Sequence, residues 1–517
     1  MPPMTLAGRR RTGRTTHVAW IALAALALEP VAAQETTTAA PRPLVISPSV
    51  SLQQTITDNV GLSSTNKRAD AYTEATAAVS ISSRVGRIRG VFDYALTSRL
   101  SVRDSNASDL RHTLNALATA ELIENTAFVD LRGSISQQAI SPFGKQSFVS
   151  GLDNSNQTQV STFGIAPYVK GRLGRFAEYE ARVDHSESHS GASSAFGAEA
   201  TSYSGRLHGG TPGQGVAWSL DASRQDSAPS DGFRYESDRL RATASYAFSP
   251  ELTVSAIGGR ESNDFQSDGK RSYNNSGAQL RWIPNQRTSL SALFEKRFFG
   301  SSHAVDFSYR TPRTAWSFID SKDAATTPER LAQVRVGTVY DLFFAQFAAL
   351  VPDPVLRDLL VRQFLQANGI NPNTPISREL QTAGFTLARL QSASVSLTGP
   401  RNTLSFRTLF SNTQRVNRFG IGTSAFEDAS RFRQRSFFVD LSHRLTPIST
   451  ATLGLGYQRN TGGLDEQGST LTSINALYST TLMPRVSLSG GARLTHFSSP
   501  SQPYDEHAIF ANIRVQF

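Results

Sequence analysis

The chain contains no cysteine, which excludes a disulfide framework, a cysteine-ligated zinc site and an iron–sulfur centre. It has three methionines and six lysines in 517 residues. Charged residues make up 18%, below the usual quarter, and apolar residues 39%. No apolar run reaches the roughly 18 residues of a membrane-spanning helix, so a helical membrane protein is excluded. Ser, Thr, Gly, Asn and Gln fill the gap. A chain sparing in both charge and apolar side chains fits one large sheet with a polar and an apolar face. It fits a stack of soluble cores poorly.

Arginine supplies 46 of the 52 basic residues, and the formal net charge is +10. These arginines are scattered singly along alternating segments. A nucleic-acid binder gathers its charge into one patch, so the pattern implies no nucleic-acid partner.

Residues 1–33 read as a secretory signal peptide. Arg9, Arg10, Arg11 and Arg14 form a positive start, residues 18–28 an apolar stretch, and Val31-Ala32-Ala33 a small-residue cleavage site before Gln34. With Glu29 the leader carries a surplus of three positive charges, which leaves +7 on the remainder. Residues 34–43 form a short polar linker.

From Leu44 onward, segments alternate apolar and polar side chains with period 2, the signature of strands with two unlike faces. Ile509, Ala511, Ile513, Val515 and Phe517 share one face of the last segment; Ala508, Phe510, Asn512, Arg514 and Gln516 share the other. Phe437, Val439, Leu441 and Leu445 oppose Phe438, Asp440, Ser442 and Arg444. Ile88, Gly90, Phe92, Tyr94 and Leu96 oppose Arg87, Arg89, Val91, Asp93 and Ala95.

Ten short turns rich in Pro, Gly or Asn, such as Glu124-Asn125, Gly210–Gly213 and Met483-Pro484, alternate with longer polar loops. The loops include 139–158, 413–432 and 460–469; a short connection near Gly300 weakens the alternation. Ten turns with both chain ends on the turn side imply about 22 strands. One strand set with one apolar face and no covering helices finds its partner in lipid, and closure removes the edges that hydrocarbon cannot hydrate. The expected fold is therefore an all-β, antiparallel, up-and-down transmembrane barrel over 44–517, in the outer membrane of a Gram-negative cell. A soluble solenoid would show a fixed repeat, and none is present. Phe517, ending an alternating strand, fits an insertion signal read by the barrel assembly machinery. Tyr94, Tyr246, Trp282, Phe294, Tyr309 and Tyr457 suit aromatic girdles at the interfaces.

Residues 321–383 break the period. Residues 339–350 and 355–365 read as two amphipathic helices separated by Pro352-Asp353-Pro354. Turn parity puts this helical insert outside the cell, as a plug or lid.

Arg297-Phe298-Phe299-Gly300, the run from Asp306 to Trp316, Tyr340-Asp341-Leu342, Pro352-Asp353-Pro354 with Arg357, and Gly399 to Thr403 resemble the PEP-CTERM system-associated outer-membrane proteins. That resemblance implies a barrel linked to exopolysaccharide production and exosortase sorting. It brings no catalytic residues.

No nucleophile elbow, phosphate loop or zinc-protease helix occurs, so no enzyme and no cofactor are expected. His185, Glu187 and His189 share one strand face and form the best metal-like group, at a place where polar residues are ordinary. The informative charges are those of the polar face: Arg87, Arg89, Asp93, Asp130, Arg132, Arg407, Asp440, Arg444, Arg493 and Arg514. In mid-bilayer lipid each would cost roughly 2–4 kcal/mol, so they are assigned to the lumen. There they pair across strands or form a mildly anion-attracting, polysaccharide-binding surface. The expected function is a channel or scaffold in exopolysaccharide export or in surface-protein anchoring by the exosortase-associated system, with outer-membrane lipid, the assembly machinery and polysaccharide or exopolysaccharide-system proteins as partners. A general porin or uptake channel and a non-conducting adhesin are the alternatives.

Overall fold

The computed structural model describes residues 44–517, apart from 84–85, 103–108, 142, 149–154, 192–196, 212–213, 230–233, 266–268, most of 327–384, 417–430 and 463–466. The leader and linker fall outside the described residues.

Among the described residues, 22 strands form a single sheet in which each strand pairs antiparallel with the next. The first strand, β1 (Leu44–Thr57), pairs with the last, β22 (Tyr504–Gln516), from Ser49↔Gln516 to Thr57↔Ala508, so the sheet closes on itself. Just beyond that seam, the Phe517 amide donates to the Pro48 carbonyl at 2.9 Å.

The period-2 pattern fixes which side chains face where. In β1, Val50, Leu52 and Ile56 are exposed on the outer face, while Ser49, Thr55 and Thr57 are buried on the inner one. The pairing carries this phase around the barrel. Glu74 of β2 (Asp70–Ser83) stands opposite Arg99 of β3 (Ile88–Ser101), and Thr119 of β4 (Asp109–Ile123) opposite Asp130 of β5 (Ala127–Ala139), all inward. Outward stand Leu131, Ile165, Tyr203, Leu240, Phe294, Trp316, Phe406, Leu453 and Ile513, each more than a third exposed. An apolar belt of that extent is stable only against hydrocarbon. No described helix is long and apolar enough to cross a membrane; the crossing is made by strands. The chain is thus an outer-membrane β-barrel of a Gram-negative envelope.

Strands run from 10 residues in β13 (Thr288–Arg297) to 17 in β6 (Gln157–Leu173), at or beyond the roughly 9–11 that a tilted strand needs to span lipid. The surplus projects on the long-loop side. All ten short turns lie at the other end, the periplasmic one. Gly210, between β8 (Ala198–Thr211) and β9 (Gln214–Pro229), has φ +89°, and a Cβ there would sit 2.5 Å from the Val216 carbonyl oxygen, so glycine is required. The short connection near Gly300 joins β13 to β14 (Gly300–Arg310) on the long-loop side, so the alternation of ends is unbroken.

Three boundaries differ from the sequence reading. Arg87 is not on the lumen wall. It lies exposed in the turn after Gly86, and its carbonyl accepts the Glu121 amide at 2.7 Å. The insert begins later than 321, because β15 (Thr314–Thr326) stays paired with β16 (Phe385–Thr398) up to Thr326↔Phe385. The loop placed at 413–432 is shorter, because β17 (Asn402–Arg415) and β18 (Arg431–Thr446) extend above the membrane with polar residues on both faces. Beyond Thr326, four residues of the expected helical insert are described: Tyr340, Phe344, Arg357 and Val361 are helical, with Arg357 4.8 Å above the Phe344 ring. The rest of it lies outside the described residues.

Candidate functional site

The inner wall is built from the even or odd set of each strand, according to register, and it is polar. Ser, Thr, Asn and Gln dominate its buried side chains, interrupted by arginines and carboxylates. Inside a barrel such charges are stable if they are wet or paired.

Pairing is what the structure shows. Asp130 accepts the Thr119 hydroxyl at 2.7 Å and pairs with Arg182 of β7 (Ala177–Ser190). Arg132 pairs with Asp184 on the same strand β7. These two pairs bridge β5 and β7 over the intervening β6, so they cross-brace the wall. Arg407 of β17 pairs with Asp440 of β18. Asp93 accepts the Ser80 hydroxyl. Arg493 of β21 (Val486–Ser498) makes a two-point contact with Glu506 at 2.7 and 3.0 Å, and Glu506 also accepts the Thr57 hydroxyl at 3.1 Å.

Three of the sequence-assigned lumen residues stand apart. Arg89, Arg444 and Arg514 lie exposed on the inner face near the periplasmic end, with no acidic partner among the described residues. Arg514 donates to the Ser49 hydroxyl at 3.1 Å.

The sequence reading missed the carboxylates nearest the outer end. Glu74 pairs with Arg111, Glu261 with Arg297 at 2.9 Å, and Glu295 with Arg239 at 2.7 Å. Glu261, Glu295 and Glu506 are almost fully buried. Carrying the inner phase up to the strand ends would have found them.

A second feature absent from the sequence reading is the loop between β5 and β6. Its described residues turn into the lumen and dock on the wall formed by β18, β19 (Ser449–Gly462), β20 (Gln467–Met483), β21 and β22. The Phe148 ring meets Phe438 at 5.6 Å edge-on, and Phe143 meets Phe432 at 6.1 Å. Gln458 donates to the Gln146 side chain at 2.8 Å, and the Tyr504 hydroxyl donates to the Gln146 carbonyl. Lys145 donates to the Gly61 carbonyl at 3.1 Å. Asn156 shapes the loop by donating to the carbonyls of Ser141 (2.7 Å) and Lys145 (3.0 Å). Phe148 also packs on an apolar cluster of Val60, Leu62, Tyr72, Leu471, Phe497 and Tyr504. Apolar residues inside a long polar loop were the available signal: Phe143 and Phe148 need a dry partner, and the lumen wall supplies it.

His185, Glu187 and His189 face outward near the outer rim, opposite Ile165, Phe163 and Ser161. His189 pairs with Glu187 at 3.1 Å, while His185 bonds to Thr201. Among the described residues no group of three side chains is arranged to hold a metal.

The site can therefore wet a large polar interior, present hydroxyl, amide and guanidinium groups to a solute, and narrow the passage with the docked β5–β6 loop.

No family model and no curated protein matches the chain. Among solved structures it is similar to the siderophore receptor PirA from Pseudomonas aeruginosa, with 9% identity, TM-score 0.43, and coverage of 91% of this chain and 80% of that one. It is similar to the FrpB iron transporter from Neisseria meningitidis, with 9% identity, TM-score 0.45, and coverage of 91% and 82%. A ferric enterobactin receptor (PfeA) mutant from Pseudomonas aeruginosa gives 7% identity, TM-score 0.47, and coverage of 91% and 80%. At such scores the likeness says nothing about cargo.

Proposed function

We propose that the barrel is a passive, non-enzymatic outer-membrane conduit for a hydroxyl-rich polymer, in the class of exopolysaccharide export. The observation that carries this reading is the lining. Its mid-lumen charges are paired off, as in Arg132–Asp184 and Arg407–Asp440, and the rest of its polar lining is uncharged, made mostly of Ser, Thr, Asn and Gln side chains. Such a wall offers many weak, replaceable contacts and few strong ones, which suits conduction over retention. The resemblance to PEP-CTERM-associated outer-membrane proteins supports the choice of polymer. The docked loop would set the width of the passage.

Deleting the gene should lower polysaccharide at the cell surface and leave polymer in the periplasm, and the intact gene should restore export. Unchanged surface polysaccharide in the deletion strain would sink the export reading. A general uptake pore is the second reading, favoured by Arg89, Arg444 and Arg514 at the periplasmic end, which have no acidic partner among the described residues. It predicts slower uptake of small anions in the same strain.

A further inference from the structure

The outer wall carries a charge cluster that the lumen does not explain. Arg431, Arg433 and Arg435 alternate along β18 with buried Phe432, Gln434 and Ser436, so all three arginines point away from the lumen. Arg459 of β19 (Ser449–Gly462) stands directly opposite Arg435, also outward and exposed. Arg431 donates to Asn412 at 3.1 Å. Arg433, Arg435 and Arg459 have no acidic partner among the described residues. The neighbouring described outward positions are Asn412, Gln414, Thr461, Thr470 and Thr472, none of them acidic. Four like charges gathered on one face repel one another and call for a counter-charge.

Their depth identifies it. One outward position closer to the periplasm lie Phe410, Phe437 and Tyr457, a continuous aromatic row with ring centroids 5.5 and 6.2 Å apart. Below Phe437 the outward residues of β18 include Val439, Leu441 and Leu445, the apolar belt. Aromatic rows of this kind mark the lipid–water interface. The arginines therefore sit just above the acyl-chain boundary of the outer leaflet, at headgroup height. Guanidinium groups bind phosphate through two-point hydrogen bonds.

We propose that the outward face of β17 to β19 binds the phosphorylated headgroup of a glycolipid of the outer leaflet, with Arg433, Arg435 and Arg459 as phosphate ligands and Phe410, Phe437 and Tyr457 against the upper acyl chains. Arg431, already held by Asn412, borders the site.

The test uses the full-length folded barrel in detergent, with bis-phosphorylated lipid A and its dephosphorylated form as probes. The wild type should bind the phosphorylated lipid, and R433Q/R435Q/R459Q should bind it about 100-fold more weakly. R433K/R435K/R459K should recover part of the loss, and R313Q, in an exposed periplasmic turn, should bind like the wild type. Heat-modifiable gel mobility verifies that each variant is folded. Equal binding of the two lipids, or wild-type binding by the folded triple glutamine variant, would overturn the site. Competition by millimolar inorganic phosphate alone would overturn the lipid assignment and leave a simple anion site.

Discussion

The value of a charge in this barrel depends on its surroundings. Glu506 is fully buried and holds both Arg493 and Thr57, so its removal strands a guanidinium in a dry place. Breaking a buried pair of this kind costs about 3–5 kcal/mol. E506A should therefore lower unfolding stability in urea by about that amount. E178A breaks the Arg172–Glu178 contact, which is largely exposed, and should change stability by less than about 1 kcal/mol. Equal effects from the two substitutions would show that the inner wall is uniformly wet. Gly210 makes a separate demand, because its positive φ and close backbone neighbour exclude a branched side chain. G210V should cost about 1–3 kcal/mol and slow assembly, read as a lower folded fraction on heat-modifiable gels.

Strand alternation was readable in single segments: Ile88 to Leu96 and Phe437 to Leu445 assigned their own faces correctly, because only one phase puts apolar groups in lipid. The same logic failed above the membrane. Arg431 and Phe432 fall in the loop read over 413–432, because Arg431, Arg433 and Arg435 alternate with Phe432, Gln434 and Ser436 and polar groups lie on both faces. Only the pairing with β19 shows that this segment is strand. The loop between β5 and β6 was likewise hidden, because docking depends on partners such as Phe438, Gly456 and Tyr504 that are remote in sequence. Gly456 leaves room for Phe148, with only 3.1 Å between that ring and an added Cβ. G456V should push Phe148 out of its seat and increase fluctuations of the ionic current through the barrel. A current as quiet as that of the wild type would mean that the loop is held elsewhere.

Among the described residues the barrel is a closed wall of 22 strands with an apolar exterior, an interior whose mid-lumen charges are paired, and the β5–β6 loop drawn inward. The strand number was legible because ten turns can be counted from their Pro, Gly and Asn residues. The cargo was not, because a lining of Ser, Thr, Asn and Gln is compatible with many solutes. The claim on which the rest depends is that the lumen conducts and that the docked residues Phe143 to Phe148 narrow it. Single-channel current in planar bilayers tests this directly, comparing the wild type with a barrel whose 141–155 segment is replaced by a short Gly-Ser linker. Conduction by the wild type and an increase of about twofold or more in the linker variant are expected. No current from either protein, both folded by gel mobility, would contradict a conduit and leave a closed surface scaffold.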